Sequence, residues 1–170
     1  MPKEYPKTLD QLLAISETED PELKILTKGY LFHGSPNGEI KTLTPKQCSH
    51  SGEPDGAPAV CATDSLWNAM FKAIVNSAHL TNKKPYSRSG WSHNDLADLS
   101  YYATKNLLSA AESATGYLYL LSPDNFQWID LPTKDKKRPR RELRSLKPVT
   151  PLTRIPVTLS DFPYPIEESQ

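Results

Sequence analysis

The chain has 170 residues, enough for one domain with its own core and short for two. Twenty Lys and Arg balance twenty Asp and Glu, which excludes a uniformly basic nucleic-acid coat and an acidic solvating tail. Sixteen prolines against seven glycines confine helix to the few proline-free stretches and favour extended segments and rigid turns.

Thr8-Leu9-Asp10-Gln11 has the form of a capping box with Leu12, Leu13 and Ile15 behind it, so a short helix starts near Thr8 and stops before the acidic stretch Glu17 to Glu22. Tyr30 to Ser35 reads as a strand running into a turn, and residues 36–58 as loop with at most a short strand at Ile40 to Leu43. Ala59 to Ala62 is a second short strand. It stops at Thr63-Asp64, either of which suits the cap of a following helix. In that helix Leu66, Ala69, Met70, Ala73 and Ile74 share one face, with Trp67 and Phe71 beside it.

Residues 81–94 are polar and read as irregular. A third helix is expected from Asn94 to Ser113 on the stripe Leu96, Leu99, Ala103, Leu107 and Ala110, with Gly116 ending it. Tyr117 to Leu121 and Phe126 to Leu131 read as strands around the turn composition Ser122-Pro123-Asp124-Asn125. A further strand is expected at Arg141 to Ser145. The proline-interrupted stretch Val149 to Leu159 suits a sheet edge, and the tail Asp161 to Gln170 reads as irregular. The class is α+β with two or three helices: one domain over 1–170, its core at about 29–159, with residues 1–28 as an N-terminal helical extension.

Cys48 and Cys61 are too few for a disulfide framework or a structural zinc site. His50, His79 and His93 have no metal-ligand spacing with them, so no metal is expected. The first six residues contain no apolar core of a signal peptide, and no apolar run nears the roughly 20 residues of a membrane span. The expectation is a soluble, cytoplasmic protein with no membrane partner.

Three segments carry residues suited to chemistry: Phe32-His33-Gly34-Ser35, Ala59 to Asp64 leading into a helix, and Arg141-Glu142-Leu143-Arg144-Ser145. The first puts an imidazole at a strand end, beside a glycine that admits a ligand close to the backbone and a serine hydroxyl. The third puts one carboxylate between arginines. Taken singly, a strand-end His is more often structural, and a Glu in a basic run is more often a surface ion pair.

In this order the three segments resemble the ADP-ribosyltransferase superfamily, in its diphtheria-toxin and poly-ADP-ribose-polymerase branch. There a His-Gly-Ser motif closes the first strand, a Tyr-x-Thr segment leads into a helix, and a Glu lies on a later strand. His33-Gly34-Ser35 matches the first. Ala62-Thr63 and the helix from Ser65 match the second, with Cys61 standing where the family carries tyrosine. Glu142 matches the third. The resemblance spans residues 29–159 and implies split antiparallel sheets and NAD as substrate. It also implies an activity: cleavage of the nicotinamide–ribose bond and transfer of ADP-ribose to a macromolecular acceptor.

Nicotinamide is a cationic leaving group, so a carboxylate that binds the ribose 2′-hydroxyl and stabilises an oxocarbenium-like state suffices. The resemblance gives Glu142 that catalytic role. It implies that His33, Gly34, Ser35 and Thr63 contact NAD, and that Trp67 or Phe71 supplies the aromatic face the missing tyrosine would have given.

Between Lys134 and Lys147, eight basic residues stand against Asp135 and Glu142, a net +6. A cationic loop before the Glu strand favours a phosphate-bearing acceptor, which makes Arg138, Arg140, Arg141 and Arg144 the expected substrate contacts and nucleic acid the leading acceptor, with protein as the alternative. A single domain of this kind fits a toxin restrained by an inhibitory antitoxin. The departure at Cys61 keeps a second reading open: a catalytically degenerate module of the same fold that binds a nucleotide or a nucleic acid.

Overall fold

A computed structural model describes residues 4–15, 29–50, 53–82, 86–93, 99–131 and 140–170. The first element, α1 (Leu9–Ala14), starts at Thr8, whose hydroxyl accepts from the Gln11 amide at 3.2 Å, and Gln11 Oε1 accepts from the Lys7 amide at 2.8 Å. The expected capping box is therefore present, with its return bond one residue earlier than the standard form.

Strand β1 (Leu31–Ser35) is followed by a small hairpin of β2 (Ser49–His50) and β3 (Glu53–Pro54), then β4 (Val60–Ala62) and α2 (Leu66–Ile74). The hairpin and two bridges, Leu43 with Val149 and Lys46 with Ala59, stand where the sequence suggested mostly loop. The cap of α2 is Ser65, whose Oγ accepts from the Asn68 amide at 3.2 Å, and not Thr63 or Asp64. Thr63 is still extended, exchanging two backbone hydrogen bonds with Phe32, so the helix cannot begin before the chain leaves that bridge.

The expected third helix is a strand and a shorter helix. Among residues 94–113, β6 (Leu99–Thr104) precedes α3 (Lys105–Ala111), and residues 94–98 lie outside the described set. The apolar stripe that matched a helical period also fits alternation. Tyr101 and Ala103 are fully buried two residues apart, and aromatic residues suit a pleated surface. Pairing on both sides decides it: β5 (Ser89–His93) is antiparallel to β6, and β11 (Ile166–Ser169) is parallel to it. Both strands correct expectations of irregular chain, at 81–94 and in the tail. Gly116 does not end a helix. It opens β7 (Gly116–Leu121), which is followed by β8 (Gln127–Leu131), β9 (Arg140–Ser145) and β10 (Thr153–Val157).

The architecture is mixed α+β, with small, mostly antiparallel sheets and, among the described residues, three α-helices. One sheet has the order β1-β7-β10, with Pro156 on its edge strand as proline requires; a second has the order β4-β9-β8. They meet at the Phe32–Thr63 bridge, so β8-β9-β4 and β1-β7-β10 continue one another. A third sheet has the order β5-β6-β11.

Among the described residues, two apolar clusters hold these layers. Helix α2 buries seven of its nine residues against Phe32, Leu118 and Leu120 on one side and Tyr101, Leu107 and Phe162 on the other. Each large apolar side chain so buried contributes roughly 1.5–3 kcal/mol. The second cluster joins Leu31, Tyr119 and Leu121 to Val60 and Leu143, and so lies between the first two sheets. Among the described residues, no helix is long and apolar enough to cross a membrane.

Candidate functional site

The fold places the three sequence segments side by side. The His33 strand bridges to the Cys61 strand, and the Cys61 strand pairs with the Glu142 strand, with Cys61 opposite Arg144. His33 Nδ1 lies 2.9 Å from the Cys61 carbonyl oxygen, so Nδ1 carries the proton and donates, which leaves Nε2 as an acceptor in the neutral ring. Burial lowers the His33 pKa, the nearby positive charges of Lys72 and Lys46 lower it further, and the bond to Cys61 works against them.

On β9, residues 140, 142 and 144 alternate and so share one face of the sheet. Glu142 is held from both sides. Its Oε1 accepts from Arg140 Nη2 at 2.6 Å, and its Oε2 accepts from Arg144 at 2.9 Å (Nη2) and 3.2 Å (Nε). Arg144 is 3% exposed, deep enough that its charge needs a partner. Asp55 supplies it. Asp55 Oδ1 lies 2.9 Å from Arg144 Nη2, and the Asp55 carbonyl accepts from Arg144 Nη1 at 3.1 Å. Arg140 Nη1 reaches Asp55 Oδ2 at 3.4 Å. Burial alone would lower the Arg144 pKa, but its bonds to Asp55 and Glu142 outweigh that and raise it. The four groups are neutral in sum. Gly56, at φ +128°, takes the turn past Asp55 in a backbone region that side chains other than hydrogen rarely adopt.

Asp55 and Cys48 complete the site, and sequence reasoning missed both. Cys48 Sγ lies 2.8 Å from Cys61 Sγ, and Cys61 is opposite Arg144 on the same face as the ion pairs. Burial, followed by the contact with Cys48, pushes the Cys61 thiol up to about 12. A pair of cysteines thirteen positions apart carries no spacing signal. The Lys46–Ala59 bridge, which folds residues 46–59 back on themselves, brings the two together.

The other expected site residues divide. Ser35 is buried, with its Oγ accepting from the Asn37 amide, and Thr63 Oγ1 accepts from the Ser65 amide, so both hydroxyls shape turns. Gly34 faces α2: a Cβ there would stand 1.8 Å from the Ala69 carbonyl oxygen, so the residue lets helix and strand touch. Trp67 and Phe71 do not offer an aromatic face beside His33. Trp67 is 6% exposed and packs edge-on to Tyr164, and Phe71 is 2% exposed among Tyr101, Phe162 and Trp91. The helical period that put them near the site is the same period that puts them in the core.

Arg140 and Arg144 are occupied by carboxylates, and so differ from the free acceptor contacts expected of them. Arg141 points to the opposite face, half-exposed, 2.9 Å from the exposed Asp130 and over the Trp128 ring. Arg138 lies outside the described residues. A cleft of about 280 Å³ opens elsewhere, between α2 and β5, where Lys72 sits over Trp91 beside Ser77 and Ser89.

No protein-family model, curated protein or solved structure matches the chain.

Proposed function

We propose that the protein is a mono-ADP-ribosyltransferase that cleaves NAD+ at the nicotinamide–ribose bond and transfers ADP-ribose to a macromolecular acceptor. One observation carries this reading: the strands of His33 and Glu142 flank the strand of Cys61, which brings an imidazole and a carboxylate far apart in sequence onto adjoining strands. Glu142 binds the ribose 2′-hydroxyl and stabilises positive charge as nicotinamide departs with the electron pair of the broken bond. Arg140 and Arg144 hold that carboxylate in one orientation, and Oε1, with a single arginine donor, keeps a lone pair for the hydroxyl. Neutral His33 accepts a ribose hydroxyl at Nε2.

A second reading follows from another observation. Both Glu142 oxygens are engaged by arginine, and the aromatic residues expected to face nicotinamide are in the core. These features favour a module that binds a nucleotide without cleaving it.

The test is incubation with NAD+ labelled in its adenylate phosphate, together with separate pools of DNA, RNA and protein. The proposal expects label in one pool and free nicotinamide, both lost in Glu142→Gln and His33→Gln. Saturable NAD+ binding with no nicotinamide release overturns it in favour of the second reading. Absence of both binding and release overturns both.

A further inference from the structure

We propose that Cys48 and Cys61 are a reversible disulfide site that locks residues 46–59 against β4. The two sulfurs are already in contact at 2.8 Å, within about 0.8 Å of a covalent S–S distance. Both cysteines are partly exposed, so a small oxidant can reach them. They come from different elements: Cys61 is within β4, and Cys48 precedes the β2–β3 hairpin. The segment between them is pinned at its base by the Lys46–Ala59 bridge, whose two backbone bonds measure 2.9 and 3.1 Å, and by the Asp55 amide bond to the Cys48 carbonyl at 3.1 Å. The backbone therefore already holds the closed loop that a disulfide requires, and the bond adds little native strain.

The oxidant class is a low-molecular-weight disulfide, and glutathione disulfide is the probe. The Cys48 thiolate attacks one sulfur of glutathione disulfide and releases the first glutathione thiolate. The Cys61 thiol gives up its proton, and its sulfur attacks the Cys48 sulfur of the mixed disulfide, releasing the second. Two S–H bonds are lost, one protein S–S bond forms, the protein is oxidised by two electrons, and glutathione disulfide is reduced to two glutathiones that carry the two protons. Cys61 acts second because burial and its contact with Cys48 hold it protonated. Excess glutathione runs both steps backwards.

The link has a local consequence. Asp55 lies inside the closed loop, and it is the buried partner of Arg144 and Arg140, the two residues that hold Glu142. Closing a loop of this size removes chain entropy from the unfolded state and restrains the segment that carries Asp55. The thiol–disulfide state of this pair thus sets how firmly the arginine–carboxylate network is anchored, whatever that network acts on.

The test is made on the full chain, equilibrated in glutathione buffers from fully reduced to fully oxidised, quenched with an alkylating reagent and weighed intact. The expected result is loss of both alkylatable thiols in one step, with a mass deficit of the two thiol hydrogens and no retained glutathione. Trypsin leaves both cysteines on the single peptide 47–72, which contains no internal Lys or Arg. Cutting that peptide before Asp55 separates the halves from reduced protein and leaves them joined from oxidised protein. Amide hydrogen exchange across 46–59 slows on oxidation, and excess glutathione reverses every change. Cys48→Ser and Cys61→Ser abolish the linked peptide.

Two thiols that stay alkylatable at the oxidising limit overturn the proposal, as does a product carrying glutathione on each cysteine without a link. These readouts come from the chain itself and need no NAD+, so their failure is distinct from failure of the transferase reading.

Discussion

His33 donates from Nδ1 to the carbonyl oxygen of Cys61 at 2.9 Å, and this bond ties the first sheet to the second at the position where the candidate site begins. The bond fixes the tautomer, while burial and two lysines disfavour the imidazolium. In the unfolded chain His33 titrates at its ordinary value of 6.5. As pH falls through that value, the unfolded chain binds a proton that the folded chain refuses, so stability present above it is lost toward the lower folded value. Denaturant unfolding at about pH 7.5 and about pH 5.5 will show a larger loss for the wild type than for His33→Gln. Equal losses would show that His33 does not sense pH.

Asp55 and Arg144 form the most deeply buried ion pair described, with side chains 6% and 2% exposed. Asp55→Asn leaves a buried guanidinium short of charge and will cost about 3 kcal/mol in urea unfolding. Arg144→Met placed in the Asp55→Asn background will cost much less than it does alone, because its main partner is already gone. Arg141→Ala, which breaks a pair between half-exposed and exposed groups, will cost below about 1 kcal/mol. A cost for Asp55→Asn no larger than that of Arg141→Ala would show the network to be solvated.

Local signals located most strands and misplaced one helix, and the physical reason differs by element. The Thr8 cap, the strands β1, β4, β7 and β8 and the edge proline of β10 are written in capping chemistry, apolar alternation and turn composition, which act over a few residues; that β7 and β8 join different sheets is not. Strands β6 and β11 are not. The sequence Ile166-Glu167-Glu168-Ser169 has no apolar alternation and becomes a strand through its parallel pairing with β6, a contact more than sixty residues away in the chain. The site shows the same division. The strands that carry His33 and Glu142 were legible. Asp55 and Cys48 were not, since a turn glycine and a distant backbone bridge bring them there. Trp67 and Phe71 carried a real signal of burial, because one apolar face serves a core and a ring-stacking site equally well.

Gly34 occupies a contact that admits no side chain. A Cβ would come within 2.7 Å of the Ala69 carbonyl carbon as well as overlapping its oxygen, and Gly116 meets the Ala73 backbone in the same way on the neighbouring strand. Gly34→Ala will force α2 off the sheet and cost at least about 3 kcal/mol, visible as a lowered melting temperature without any ligand. A variant that keeps the wild-type melting temperature but loses NAD+ binding would instead make Gly34 a ligand contact.

Phe71 separates a core aromatic from a ring-stacking one. Its ring lies 4.9 Å from Tyr101, 5.8 Å from Phe162 and 6.1 Å from Trp91 between ring centres, so its removal empties the middle of the aromatic cluster. Phe71→Ala will cost about 3 kcal/mol or more, and Phe71→Leu, which refills most of the volume, will recover a large part of it. A ring used only to stack on a ligand would give the opposite pattern: near-wild-type stability in both variants, and NAD+ binding lost in Phe71→Leu as fully as in Phe71→Ala. Unfolding curves in the absence of NAD+, set beside titrations in its presence, decide between the two.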